Sequence, residues 1–304
     1  MNKVWVLPAN ESWICDRFVS EWSEDNADIT TSDYTQADVL WLLSDWAWKQ
    51  VPSKLLVDKK IITTVHHIVP EKFDLNAQVD FAHRDQITDV YHVYNQRTYE
   101  QIKALTQKPI VMIQYWANNK IWRPTSTKEE LRKKHGLPLN RYILGSFQRD
   151  TEGNGISGGR FLPKLEKGPD LLAEYIMKCR LRSDHPRHVL LAGWRRQYII
   201  KRLQDNCVPF TYIERPSQET INELYQALDE YPVTARHEGG PQSLIECGLL
   251  NVPVVSRPVG IAEQVLPSSA INDDVFFAEP AIPNISSMLL PDGYKPYREL
   301  IQSL

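Results

Sequence analysis

The chain has 304 residues, enough for two domains of ordinary size, and its 42% hydrophobic and 24% charged fractions exclude a disordered or fibrous protein. A formal net charge of −3, with the acidic excess in the N-terminal part, excludes the broad basic footprint of a nucleic-acid binder. There is no apolar stretch of the roughly 20 residues that a membrane span needs, the start MNKVWVLPANESW has too short an apolar run for a signal peptide, and Cys15, Cys179, Cys207 and Cys247 show no CxxC or zinc spacing, so a cytoplasmic protein with reduced thiols and no integral membrane segment is expected.

Short apolar runs alternate with amphipathic segments along the whole chain, the pattern of strand-helix units that feed parallel sheets. In the first half the predicted strands are Val4–Leu7, Val39–Leu43, Ile61–His66, Val90–Tyr94 and Ile110–Ile113. In the second half they are Tyr142–Phe147, His188–Ala192, Phe210–Ile213, Val233–Thr234, Val252–Val255 and Val275–Phe277. Between the halves, RPTSTKEELRKKHGLPLN reads as a connection and a helix, with Ser126 and Glu129 in capping-box spacing and Gly136 and Pro138 as the stop. The expected organisation is an N-terminal α/β domain over residues 1–122, a second over 123–290, and a segment 291–304 that packs back on the first. Among the basic runs, Arg132 to Lys134 reads as a solvated helix face, and Arg195 with Arg196 as candidate phosphate contacts. Tryptophans concentrate in the first half: Trp41 sits in a predicted strand as core, while Trp46 and Trp48 follow it in a loop where aromatic faces can stack on a sugar.

The densest chemistry lies in ARHEGGPQSLIECGLLNVPVVSRPVGIAEQVL. Gly239 and Gly240 let the main chain approach a ligand closely, and the helix start that follows offers the amides of Gln242, Ser243 and Leu244 to a diphosphate. Glu246, one turn on, can reach a ribose hydroxyl pair, and Glu238, before the turn, faces the place of a sugar. The strand NVPVV and the segment PVGIAEQV put this turn at the carboxyl edge of a sheet, where open α/β sheets bind ligands.

This stretch resembles the EGxPxSxxEA and GxPVVxxxxGgxxE pattern of the retaining GT-B glycosyltransferases of family 4. RYILGSFQRD, EKGPDLLAEYI, HVLLAGWRRQ and VPFTYIERPSQETINELYQALDEYPV are similar to successive segments of that family's second domain. IITTVHHIVP, YHVYNQRTYEQI and PIVMIQYWANNKIWRP are similar to segments of its first domain. The resemblance implies a GT-B fold, two Rossmann-like domains with parallel sheets facing a central cleft, and a retaining transfer of sugar from a nucleoside-diphosphate sugar to a hydroxyl acceptor.

Arg149 and Lys167 would then clamp the diphosphate in place of a metal, with Arg160 and Lys164 in the intervening insertion as rivals. A lysine at a helix start opposes the helix dipole, which favours such a role for Lys167. His66 would approach the reacting carbon and His67 would stand behind it, while Trp46 and Trp48 would line the acceptor site. The resemblance implies no resident cofactor beyond the donor, no metal, and a glycan, lipid-linked or other hydroxyl acceptor; the base would lie near Ile213 to Arg215. Three departures stand out: PANESW, which places Asn10 to Ser12 after the first strand, lacks the family's glycine pair, Ala235 replaces a serine or asparagine, and the chain is short. The alternatives are a catalytically silent GT-B nucleotide-sugar-binding protein and a GT-B nucleotide-sugar epimerase.

Overall fold

The computed structural model describes residues 1–8, 10, 14–52, 54–153, 161–180 and 186–304. The chain forms two compact units, Met1–Trp116 with Pro291–Leu304, and Ala117–Leu290. The change of unit thus falls after Trp116, where the sequence suggests Trp122.

In the first unit β1 (Val4–Val6), α1 (Ile14–Asp25), β2 (Val39–Leu42), α2 (Leu55–Asp58), β3 (Lys60–Thr64), α3 (Leu75–Ile87), β4 (Val90–Val93), α4 (Gln96–Lys103) and β5 (Ile110–Met112) follow in order. All neighbouring strands are parallel, ordered β1-β2-β3-β4-β5, and a Val4↔Thr30 bridge extends the sheet beyond β1. VLWL of β2 and VYHV of β4 are buried at every position, as parallel strands covered on both faces require. The core here is aromatic. Trp41 packs edge-on to Trp22 at 5.2 Å, Phe18 meets Trp116 at 4.8 Å, and Tyr94 stacks on Tyr115. Tyr297 from the C-terminal helix lies 5.2 Å from both Trp41 and His92, and its hydroxyl donates to the Gln114 carbonyl at 2.7 Å.

A buried relay crosses this core. The Trp41 indole donates to Thr64 Oγ1 at 2.8 Å, the Thr64 hydroxyl meets His92 Nδ1 at 3.0 Å, and His92 Nε2 donates to the Ile113 carbonyl at 3.1 Å. Desolvation pushes the His92 pKa down to about 3, so the folded ring stays neutral. Because the folded value is depressed, His92 contributes stability above its ordinary value of 6.5, and that stability is lost as pH falls from 6.5 towards 3. In the second unit desolvation likewise lowers His188 to about 4. Equilibrium unfolding followed by tryptophan fluorescence is expected to show a loss of about 1.4 kcal/mol per pH unit per histidine below pH ~6. Stability that stays flat from pH 6.5 to pH 5 would contradict this assignment.

The second unit contains α5 (Lys128–Lys134), β6 (Tyr142–Ser146), α6 (Pro169–Arg180), β7 (Arg187–Gly193), α7 (Gln197–Asp205), β8 (Phe210–Glu214), α8 (Gln218–Gln226), β9 (Tyr231–Val233), α9 (Gln242–Leu250), β10 (Val254–Ser256) and α10 (Ala262–Val265). Helix α11 (Lys295–Ser303) then returns to the first unit. Strands β6-β7-β8 and β10-β9 pair in parallel, and a Leu144↔Glu230 bridge connects the two sheets, giving the order β8-β7-β6-β9-β10. The connections run to opposite sides from β6, so the carboxyl ends of β6 and β9 flank the topological switch point, the usual ligand edge of a Rossmann-type sheet.

Ten of the predicted strands are present with small shifts at their ends. The eleventh is not: Val275–Phe277 forms a 3₁₀ turn, because the Asp274 carboxylate accepts the Phe276 amide at 3.2 Å and is itself anchored by Lys178 at 2.6 Å. The capping box sits one residue later than its sequence spacing suggests. Thr127 caps α5 and Glu130 reaches back to it, while Glu129 pairs with Lys133 at 2.6 Å. Arg132 does not belong to a solvated face; it is buried, with its guanidinium on Asp229 at 2.6 Å and on the Ala227 carbonyl at 2.9 Å. Among the described residues no helix is long and apolar enough to cross a membrane.

Candidate functional site

The site in the second unit is built by two segments bound together along their backbones. The short turn Leu165–Lys167 precedes α6, and the residues after β9 run beside it: the amides of Arg236 and His237 both donate to the Glu166 carbonyl, at 2.8 and 3.1 Å. Thr234 Oγ1 donates to the Gly168 carbonyl at 2.9 Å, and Gln148 of the β6 loop donates to the Lys167 carbonyl at 2.8 Å. Arg236 forks onto Asp170 at 2.8 and 2.6 Å and also reaches the Leu165 carbonyl at 2.9 Å. Gly168 makes this closeness possible: it has φ +61, and a Cβ there would collide with the Thr234 carbonyl. The outcome is a direct pair, Lys167 Nζ to Glu238 Oε1 at 2.5 Å, with the side chains 21% and 13% exposed. Two residues far apart in sequence, expected at the diphosphate and at the sugar of one ligand, are therefore in contact.

Beyond Glu238 the Gly239-Gly240-Pro241 turn leads into α9. Gly260 supports it from behind at φ +58, and a Cβ on Gly260 would lie 2.8 Å from the Pro241 ring and 3.0 Å from the Gly240 Cα. Gln242 and Ser243 open the helix as expected, but the Leu244 amide is committed: it donates to the Pro241 carbonyl at 2.9 Å, and the Leu244 side chain is core. Glu246 is buried and hydrogen-bonds with the Tyr225 hydroxyl, whose pKa is raised by burial and by that carboxylate. Ala235, where a polar residue was expected, is wholly enclosed.

Arg149 leaves the end of β6 in another direction. Its guanidinium donates to the Thr151 carbonyl at 3.3 Å and the Gly153 carbonyl at 2.5 Å, and lies 5.6 Å from the Trp194 ring. Arg215 lies over the same ring at 4.7 Å. Lys164 is half-buried and pairs with Glu166 at 3.3 Å, whereas Arg160 lies outside the described residues. The phosphate reading of Arg196 is corrected. Its side chain is completely buried, bonded to Asp150 at 2.5 Å, to the Ala192 carbonyl at 2.8 Å and to Ser146, so four of its five N–H groups staple the ends of β6 and β7 and the buried head is not presented to a ligand.

In the first unit His66 follows β3 and is half-buried. Its Nε2 donates to the Leu43 carbonyl at 2.9 Å, and its Nδ1 is hydrogen-bonded with the Tyr115 hydroxyl at 3.0 Å. Cys15 Sγ stands 4.0 Å from the same ring and receives the Ser44 hydroxyl at 3.1 Å. A ring engaged on both nitrogens is held in a fixed orientation. His67 is half-buried beside it. Trp48 packs against the cluster of Leu40, Ala47 and Val51 and near His83, whereas Trp46 stays 36% exposed. The Asn10 amide donates to Asp16 at 2.8 Å; Glu11 and Ser12 lie outside the described residues.

Sequence reasoning missed the Trp194 platform, the Arg236–Asp170 fork and the buttress role of Gly260. For the last the signal was available, since a glycine in PVGIAEQV following a GGP turn invites a close approach.

Together the parallel sheets, the switch-point site and the solved structures define the class: the fold is GT-B, with two Rossmann-like units. The chain is similar to HepE of Anabaena in complex with UDP and glucose, with TM-score 0.66 and 13% identity over 88% of this chain and 84% of that one. It is similar to sucrose-phosphate synthase of Thermosynechococcus elongatus, with TM-score 0.64 and 15% identity over 95% and 78% of the two chains. A third likeness is to WaaG, a glycosyltransferase involved in lipopolysaccharide biosynthesis, with TM-score 0.60 and 12% identity over 86% and 82%. No protein-family model and no curated protein matches the sequence significantly.

Proposed function

We propose that the protein is a retaining glycosyltransferase of the family 4 type, which moves a sugar from a nucleoside-diphosphate sugar to a hydroxyl acceptor without a metal ion. The observation that carries this reading is the Lys167–Glu238 pair, set beside a glycine turn and helix start at the switch point of the sheet. HepE was solved with UDP and glucose, which supports a nucleotide-sugar donor of that kind.

In the proposed reaction the donor separates the pair: Glu238 turns to sugar hydroxyls and Lys167 to the diphosphate. As the bond from the anomeric carbon to the phosphate oxygen breaks, negative charge grows on the diphosphate, and Lys167 with Arg149 stabilises it. The acceptor oxygen attacks the same face, and its proton passes to the departing phosphate oxygen. Glu246 holds the ribose. His66, oriented by Leu43 and Tyr115, shapes the sugar end rather than exchanging a proton. Trp46, exposed and aromatic, is proposed for the acceptor side with Trp48 and His67.

The test incubates the protein with UDP-, GDP- and ADP-sugars and a panel of glycan and lipid-linked acceptors, following release of free nucleoside diphosphate and the product's anomeric configuration by NMR. Transfer with the donor's configuration kept is expected. Conversion of the donor with no acceptor present would replace transfer by epimerisation, and binding with no turnover of any donor would make the protein a silent binder.

A further inference from the structure

Arg195 is a buried charge that the proposed reaction does not use and that, unlike Arg132 and Arg196, pairs with no carboxylate among the described residues. It is 5% exposed, and its Nε is buried without a hydrogen-bond partner. A guanidinium buried with nothing opposite it is unfavourable, and such groups occur where something else supplies the charge. Its head lies against Gly153, with Nη2 3.2 Å from the position a Cβ would take there, and the carbonyl of that same glycine accepts from Arg149. Arg149 and Arg215 both lie on the Trp194 ring, next to Arg195 in sequence, and among the described residues neither forms an ion pair. Arg195 and Arg215 both have left-handed backbones, φ 59 and 45, a conformation that side-chain-bearing residues seldom adopt and that tends to mark a functional constraint. Arg195 is followed by the start of α7, where Arg196 makes no side-chain cap bond and the Tyr198 amide donates to Thr151 Oγ1 at 2.9 Å.

We propose that Arg195, with Arg149 and Arg215 around Trp194, forms an oxyanion site for a phosphoryl group, distinct from the Lys167–Glu238 pair. It shares Arg149 with the function proposed above and otherwise stands on its own observations. Three guanidiniums that form no ion pair among the described residues suit a doubly charged phosphate oxyanion better than a carboxylate. The phosphoryl group belongs either to the donor or to a separate phosphorylated ligand, and the same chemistry serves both.

The test measures the melting temperature of the full chain against inorganic phosphate and pyrophosphate, with ionic strength held constant by chloride. Phosphate is expected to stabilise the wild type saturably. Arg195→Met is expected to melt no lower than wild type without phosphate, since it removes an uncompensated charge, and to weaken phosphate binding at least about tenfold. Arg215→Ala, at an exposed position, is expected to weaken it by a smaller factor, and Lys167→Met to weaken it less than Arg195→Met does. Wild-type insensitivity to phosphate overturns the proposal, as does undiminished phosphate affinity in folded Arg195→Met or, should that variant not fold, in Arg215→Ala. A Lys167→Met loss equal to that of Arg195→Met overturns the separateness of the site. UDP in a second series assigns the source: competition with phosphate identifies the donor's own phosphates, additive stabilisation a second ligand, and both support the site.

Discussion

Lys167→Ala is expected to lower turnover by roughly 10²-fold or more, the usual cost of removing one fixed donor from a developing oxyanion. The expectation rests on placement. Lys167 ends a turn that is hydrogen-bonded on three sides, by Gln148, by the post-β9 amides and through Gly168, so its Nζ is presented to one place, where among the described residues Glu238 is its partner. The loss should fall on kcat more than on KM, because the charge it meets grows only as the glycosidic bond breaks. Glu238→Gln separates the two halves of the pair: it frees Lys167 for the diphosphate while removing the sugar contact, and is expected to raise KM for the donor. Steady-state kinetics together with melting temperatures check both. Wild-type turnover in folded Lys167→Ala would remove the residue from the mechanism.

The second large effect is structural. Gly168→Ala is expected to destabilise the second unit by about 2–4 kcal/mol, since it adds the left-handed cost of a side-chain-bearing residue to an overpacking cost against a main-chain carbonyl that cannot rotate away. The struck atom is the Thr234 oxygen, and moving it pulls the Glu166–His237 bonds that hold Lys167 near Glu238. Gly136 provides the control. It has a similar φ of +64 but nothing within 4 Å of its Cβ position, so Gly136→Ala should cost only the conformational part, about 1–2 kcal/mol. Urea unfolding of the two variants gives the comparison, and equal losses would show that the close approach at Gly168 carries no energy.

Much of this was legible in the sequence because it is local. Parallel strands read as apolar runs, and the Lys-Gly and Glu-Gly-Gly-Pro stretches carry their own backbone requirements, so the fold class and the two segments of the candidate site are legible in the sequence. What could not be read was which partner each charge would choose. Arg195 and Arg196 are adjacent and chemically identical, yet Arg196 closes on Asp150 and Ser146 while Arg195 is turned the other way by a left-handed backbone. That difference depends on Asp150, which lies on another strand's loop. Val275–Phe277 failed for the complementary reason: a β-prone triplet was captured by the side chain before it, Asp274, whose position is fixed by Lys178 on α6. The Trp194 platform needs the ends of β6, β7 and β8 at once, and no single stretch announces it.

In the proposed reaction the second unit holds a nucleoside-diphosphate sugar by side-chain cations alone. The most direct test is thermal stability against UDP, GDP, ADP, CMP and dTDP nucleotides and their sugars, each with and without EDTA. Binding to the native state at a hundredfold excess over the dissociation constant adds about 2.7 kcal/mol of stability. The expected result is a shift by one nucleotide family, unchanged by EDTA and reduced in Lys167→Ala. No shift with any nucleotide, or a shift that EDTA abolishes, would contradict it.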